Sequence, residues 1–371
     1  MKTRAIHLHD KRSKAALLEI AADIDNIRVA WNYWVNQRNA QRILEFVSAL
    51  WFFFEVRGSY IPAIQFFGDA AKKLTSSEPD VVWARAQLQA RQAWFTALIG
   101  LPDEGLRMVQ ESIRTLSQIN KYEISVETLH CANINAIFLN ETALVAQLSQ
   151  EMRERAERSG EVWERGFALI WSAWSLLMQG QLDEGLKPGR EALAIFEKLE
   201  EPFGTSVASG VILAAITMAI GDIGAAKAYC LRGMQAAEEI NYLRLLQRTY
   251  DGLGTAAFLE HDVQQAQQFF IKSLRISQEC GQTREMLSSI LDLATVHMAQ
   301  GNLAEAIQFL AIVLNHPASG QNSLNRAQFM RDDAEKLRAQ IETQMDPTLY
   351  QSAWETGQRQ RLADVVTQIL N

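Results

Sequence analysis

The chain has 371 residues, a formal net charge of -7 and a pI near 5.5, a balance that argues against a nucleic-acid-binding face as its main feature. Three cysteines, Cys131, Cys230 and Cys280, are odd in number and lack metal-ligand spacing, so a cytoplasmic location is expected. The longest apolar runs, Ala168 to Met178 and Val211 to Ile220, are about half a membrane span and read as buried helices; no signal-type apolar region follows the basic start Met1-Lys2-Thr3-Arg4.

Residues 1–14 are polar and basic, with His7 and His9 two apart, and are expected as a frayed terminus rather than a metal or phosphate site. From Ala15 to Val35, Leu17, Ile20, Ile24, Ile27 and Trp31 recur at helical steps and predict one amphipathic helix. A second helix follows from about Gln41 to Val56. Its run Leu50-Trp51-Phe52-Phe53-Phe54 must face neighbours on more than one side.

Beyond Val56 a turn keeps returning. Gly180-Gln181-Leu182-Asp183-Glu184-Gly185 has counterparts beginning at residues 58, 100, 138, 221, 261 and 301, with successive starts separated by 42, 38, 42, 41, 40 and 40 residues. The first position is usually Gly, as suits a helix end in the left-handed conformation. Phe138-Leu139-Asn140-Glu141 and His261 are degenerate versions. Five residues on, the side chain is always small (Ala63, Gly105, Ala143, Gly185, Ala226, Ala266, Ala306), which predicts a second helix crossing the first closely. Leu213-Ala214, Leu253-Gly254 and Leu293-Ala294 sit upstream at 40-residue steps. This pattern resembles the tetratricopeptide repeat, a helix hairpin, with a unit longer than the usual 34 or so residues. Pro79 and Pro202 fall where a first helical turn has no use for an N–H, whereas Pro188 falls inside a second helix and predicts a kink.

The period stops after His316-Pro317-Ala318-Ser319-Gly320-Gln321. Ala327 to Met345 reads as a charged helix with Phe329, Ala334, Leu337 and Ile341 inward, and Asp346-Pro347 then opens two short helices that cover the last repeat. The resulting division is a helical entry segment at 1–57, repeats at 58–320 and a helical cap at 321–371.

Two end motifs carry a further resemblance. Asp25-Asn26-Ile27-Arg28 with Trp31 and the Trp-Phe-Phe-Phe run ending Val56-Arg57-Gly58 is similar to the opening of the repeat region in bacterial signal-transduction ATPases of the STAND, NB-ARC and maltose-activator type. Tyr350-Gln351-Ser352-Ala353-Trp354-Glu355-Thr356-Gly357-Gln358, followed by Leu362-Ala363-Asp364-Val365-Val366, is similar to their ending. The resemblance spans roughly residues 15–371 and implies a sensor arm of such an ATPase or transcriptional regulator; a free-standing scaffold or peptide receptor is the alternative. A complete member would also carry a phosphate loop, and no Gly-x-x-x-x-Gly-Lys-Ser/Thr occurs here.

The histidines His130, His261, His297 and His316 are scattered without metal-ligand or catalytic spacing, so neither catalysis nor a metal nor a cofactor is expected. What remains is the concave wall. In tetratricopeptide hairpins, positions ten, six and three before the turn face it, which selects Trp94, Thr128, Asn135, Trp174, Asp251, Thr255 and Thr295, with Arg91, Arg248 and Asp292 one step aside. The expected architecture is an all-α right-handed superhelix of about seven hairpins. It would bind a protein or peptide partner or a small-molecule effector on that wall, without direct contact to nucleic acid or membrane.

Overall fold

Seven left-handed residues set the architecture. Positive φ values occur at Gly58, Gly100, Asn140, Gly180, Gly221, His261 and Gly301, each at the tip of a helix hairpin. The spacing is therefore 42, 40, 40, 41, 40 and 40 residues, tighter than the turn sequences suggest, because the third turn pivots on Asn140 and not on Phe138. Asn tolerates this conformation without glycine's freedom. The correction moves the third buried crossing residue from Ala143, which is exposed, to Val145, which is fully buried. At the other six crossings Ala63, Gly105, Gly185, Ala226, Ala266 and Ala306 are buried as expected.

The computed structural model describes residues 1–119, 124–319 and 326–371. Three entry helices, α1 (Lys2–His7), α2 (Ser13–Ala22) and α3 (Ile24–Asn36), precede the hairpins. The helix expected over Ala15 to Val35 is broken at Asp23, whose φ of -110° leaves the helical range. The N-terminus is docked rather than frayed. Leu8 is buried, His9 stacks on Trp163 at 4.0 Å, and Arg4 pairs with Asp23 at 3.1 Å.

The first four hairpins are α4 (Ala40–Val56) with α5 (Tyr60–Lys73), α6 (Pro79–Leu98) with α7 (Pro102–Ile119), α8 (Val126–Phe138) with α9 (Thr142–Ser159), and α10 (Val162–Met178) with α11 (Leu182–Lys198). Helix α11 runs through Pro188 without a break, since proline removes only one bond of the ladder.

In the fifth hairpin the first helix is composite: α12 (Pro202–Val207), a π-helical turn (Ala208–Leu213) and α13 (Ala214–Ile220). Its partner α14 (Ile223–Ile240) crosses so closely that a Cβ on Gly233 would stand 2.4 Å from the Gly210 Cα. The last two hairpins are α15 (Leu243–Leu259) with α16 (Val263–Glu279) and α17 (Thr283–Ala299) with α18 (Leu303–Asn315).

The superhelix winds far enough to meet itself. Gly58, at the first turn, lies against the Cys280 thiol between α16 and α17, and Arg284 of α17 donates to the Gly100 carbonyl at 3.4 Å. At the far end α19 (Arg326–Glu342), α20 (Pro347–Arg359) and α21 (Leu362–Leu370) cover the seventh hairpin. Asp346 caps α20 as expected, and Gly357 lets α20 approach α18 so closely that a Cβ would meet the Gln308 carbonyl at 2.4 Å. The boundary expected at residues 320 and 321 and the inward placement of Phe329 lie outside the described residues. Among the described residues one stretch, Pro202–Ile220, is long and apolar enough to cross a membrane, and most of it is buried within the fold.

Candidate functional site

The first helices of the hairpins face inward, and at the centre they touch one another across the superhelix axis. Glu55, three residues before the Gly58 turn, is fully buried there. It accepts from Trp94 Nε1 of α6 at 2.7 Å, from the Tyr242 hydroxyl, and from Arg244 Nε of α15 at 2.7 Å. Burial opposes the charge on Arg244, but the adjoining Glu55 carboxylate and the Tyr242 and Tyr60 hydroxyls outweigh it and hold the guanidinium protonated more firmly than usual. This ion pair joins residues 189 apart in sequence.

A second buried network lies beside it. Arg91 pairs with Glu127 and donates to Gln87 at 2.9 Å and to Thr128 at 3.3 Å, while Ser48 of α4 donates to Glu127 at 3.0 Å. Above both networks His130 stacks on Trp94 at 4.6 Å and accepts from Trp171 Nε1 at 2.7 Å through Nδ1. Burial, helped by the Arg244 and Arg91 cations, lowers its pKa to about 3, so the imidazole is neutral with its proton on Nε2.

Next to this packed centre the inner face keeps a cavity of about 380 Å³. Its walls are largely apolar: Trp94, Ile134, Ile137, Phe138, Ile170, Trp171, Trp174, Leu177, Phe203, Val207, Val211 and Leu245. Arg244, Gln247, Arg248, Gln282 and Glu285 supply the polar side. The composite fifth helix contributes Val207, Val211, Ile212 and Ala215, so the π-helical turn forms part of the wall. Such turns interrupt helices frequently at functional sites.

The residues selected from sequence divide into four groups. Trp94, Trp174 and Arg248 line the cavity, although Trp94 is only 2% exposed and is tied to Glu55 rather than standing on an open groove. Asp251 and Thr255 line a smaller adjoining hollow; the Thr255 hydroxyl bonds its own helix, as does that of Thr295. Asp292 is half-buried on α17 outside the cavity lining. Arg91, Thr128 and Asn135 are buried between helices: Asn135 donates to the Cys131 carbonyl at 2.7 Å and packs where a Cβ on Gly105 would have to go.

The misplacement in the third hairpin is a register error. Counting ten, six and three back from Asn140 gives His130, Ile134 and Ile137, all three of which line the cavity. The same count from Gly58 gives Ser48, Phe52 and Glu55, each of which reaches another hairpin, the Phe52 ring packing at a tilt on Phe203 at 4.5 Å. Gln247 and Gln282 had no such signal, because one lies a turn upstream of the counted positions and the other caps a helix.

Two solved structures share this architecture. A Rap protein complexed with competence and sporulation factor aligns with a TM-score of 0.60 at 11% identity, covering 95% of this chain and 99% of that one. A signal-transduction ATPase with numerous domains from Pyrococcus horikoshii, carrying a tetratricopeptide repeat sensor, aligns with a TM-score of 0.52 at 12% identity. The fold is a tetratricopeptide-repeat superhelix. The alignment to the ATPase covers 91% of this chain but 54% of the other, so the chain spans about half of that protein. No family model and no curated protein sequence matches the chain. In this tetratricopeptide-repeat superhelix the inner face is mostly filled by its own first helices, and the cavity is what they leave open.

Proposed function

We propose that the chain is a non-catalytic sensor or interaction module whose inner cavity receives a small effector or the apolar side chains of a peptide or protein partner. The observation that carries the reading is the cavity's construction: residues from α6, α8, α10, the composite fifth helix and α15 converge on one mostly apolar space. Ligand sites have this make-up, apolar walls with a few placed polar groups, at volumes of roughly 300–1,000 Å³. With Gln282 and Glu285 of the seventh hairpin added, six successive hairpins share the wall, and an occupant that drew them together would change superhelix curvature through small shifts at each interface. The Rap protein in its complex and the repeat sensor of the Pyrococcus horikoshii ATPase support a sensing role for this architecture. Coupling to an ATPase or transcriptional output would follow if the module works as that sensor does.

The test is a thermal-shift screen of small-molecule and peptide libraries, run in parallel on the wild type and on Ala215→Phe, which fills the cavity from its wall. Binders that stabilise the wild type and lose their effect on the filled variant support the reading. Binders that act equally on both would place recognition elsewhere.

A further inference from the structure

The polar side of the cavity holds two buried carbonyl oxygens that receive no hydrogen bond from the described residues. Gln247 is 1% exposed, and its amide nitrogen donates to the Asp251 carboxylate and to Ser273 Oγ at 3.0 Å. The carboxylate can only accept from it, which fixes the amide orientation and leaves Oε1 as an acceptor without a partner. Gln282, 7% exposed at the N-terminus of α17, likewise has an Oε1 without a donor. One turn along α17, the Glu285 carboxylate lines the same cavity and forms no ion pair among the described residues. The positive groups nearby are accounted for: Arg244 is neutralised by Glu55, and Arg248 is engaged in an interaction of its own. His130 Nε2 carries the imidazole proton but is enclosed by the rings of Trp51, Trp94, Phe167 and Trp171, all within 5.5 Å centroid to centroid, so this N–H is buried among aromatic groups.

Three acceptors and a wall of indole, phenyl and aliphatic groups around one cavity define a ligand by complementarity. We propose that the cavity binds a small arylalkylamine-type molecule, whose apolar ring lies against Trp171, Trp174 and Phe203 and whose primary ammonium donates to Gln247, Gln282 and Glu285. An ammonium carries three N–H groups, matching the acceptors in number, and its charge is favoured by the adjoining ring faces as well as by the carboxylate. An unmet buried acceptor costs stability until a donor arrives, so the polar end also discriminates: an anionic analogue would leave both amide oxygens unpaired and add repulsion from Glu285. This inference rests on the cavity being the binding site proposed above.

The experiment is isothermal titration of the full chain with tryptamine and with indole-3-propionate, which presents the same ring on a carboxylate. Tryptamine is expected to bind at least tenfold more tightly. Gln282→Met is expected to weaken tryptamine at least tenfold without lowering the melting temperature of the free chain, because the lost oxygen bonds nothing within the fold. Equal or tighter binding of the acid, no binding of the amine, or unchanged amine binding to Gln282→Met overturns the proposal. Should the amine fail while other library binders remain sensitive to Ala215→Phe, the cavity stands as the site and only its assigned chemistry falls; if no binder is sensitive to the filled cavity, both fall.

Discussion

Removing Arg244 tests whether the superhelix is held closed from its centre. In Arg244→Met the Glu55 carboxylate stays buried with Trp94 Nε1 and the Tyr242 hydroxyl as its donors, but loses its paired cation. Breaking a buried pair from one side costs about 3–5 kcal/mol, most of it the cost of an uncompensated charge. Glu55→Gln, which strands the guanidinium beside an amide, should cost a similar amount. The double variant buries neither charge, and the amide oxygen introduced by Glu55→Gln can still accept from one of the two remaining donors, so its loss should fall short of the sum by roughly 1–3 kcal/mol. Equilibrium urea unfolding followed by tryptophan fluorescence reads all four proteins, with Trp51 and Trp94 reporting from beside the pair. Hydrogen exchange adds a spatial readout: amides of α4 and α15 should lose protection together in either single variant, although they are far apart in the chain. Strictly additive losses, or deprotection confined to the mutated helix, would refute the argument that this pair couples the first hairpin to the sixth.

Two buried groups should tilt stability with pH in opposite directions. His130 titrates at about 3 in the fold against an ordinary value of 6.5, so the unfolded chain binds the extra proton and stability falls as pH drops through that window. Glu201, buried at the N-terminus of α12 and pushed up to about 8 by desolvation against two backbone N–H bonds, keeps a proton that the unfolded chain releases above its ordinary 4.5; stability then falls as pH rises toward 8. Each contributes at most about 1.4 kcal/mol per pH unit, and subtracting the unfolding profiles of His130→Gln and Glu201→Gln from the wild type should isolate slopes of opposite sign. Within α14, Gly233→Ala should cost about 1–3 kcal/mol or more because its Cβ meets backbone, whereas Gly224→Ala, with nothing nearer than 3.8 Å, should be neutral or stabilising by up to about 1 kcal/mol; equal effects would contradict the close crossing.

The hairpins were legible because a repeat must solve the same two local problems each time, a left-handed stop and a close crossing, the second met by a small residue at every crossing but the third, where Val145 stands. Where Asn140 solved the first problem without glycine, the pattern slipped by two residues, and that slip exchanged the cavity-lining His130 and Ile137 for the interhelix Thr128 and Asn135. The break at Asp23 left no comparable mark, since Leu17, Ile20, Ile27 and Trp31 keep nearly helical spacing across it. Nor could local pattern show that Glu55 meets Arg244. That contact depends on how far five hairpin-to-hairpin rotations accumulate, a quantity set by every interface between them at once and written at none of them.

The contact between Gly58 and Cys280 has a consequence for how such a chain can change in length. An open solenoid gains or loses a unit at little cost, because each unit answers only to its neighbours. Here the turn after α4 has to arrive opposite the turn after α16, and adding or deleting one hairpin would carry it a whole unit out of phase. Glu55 would then face something other than Tyr242 and Arg244, leaving charges stranded at the axis. The number of hairpins is thus a counted quantity in this protein, fixed in the way that the number of staves is fixed by the circumference of a cask.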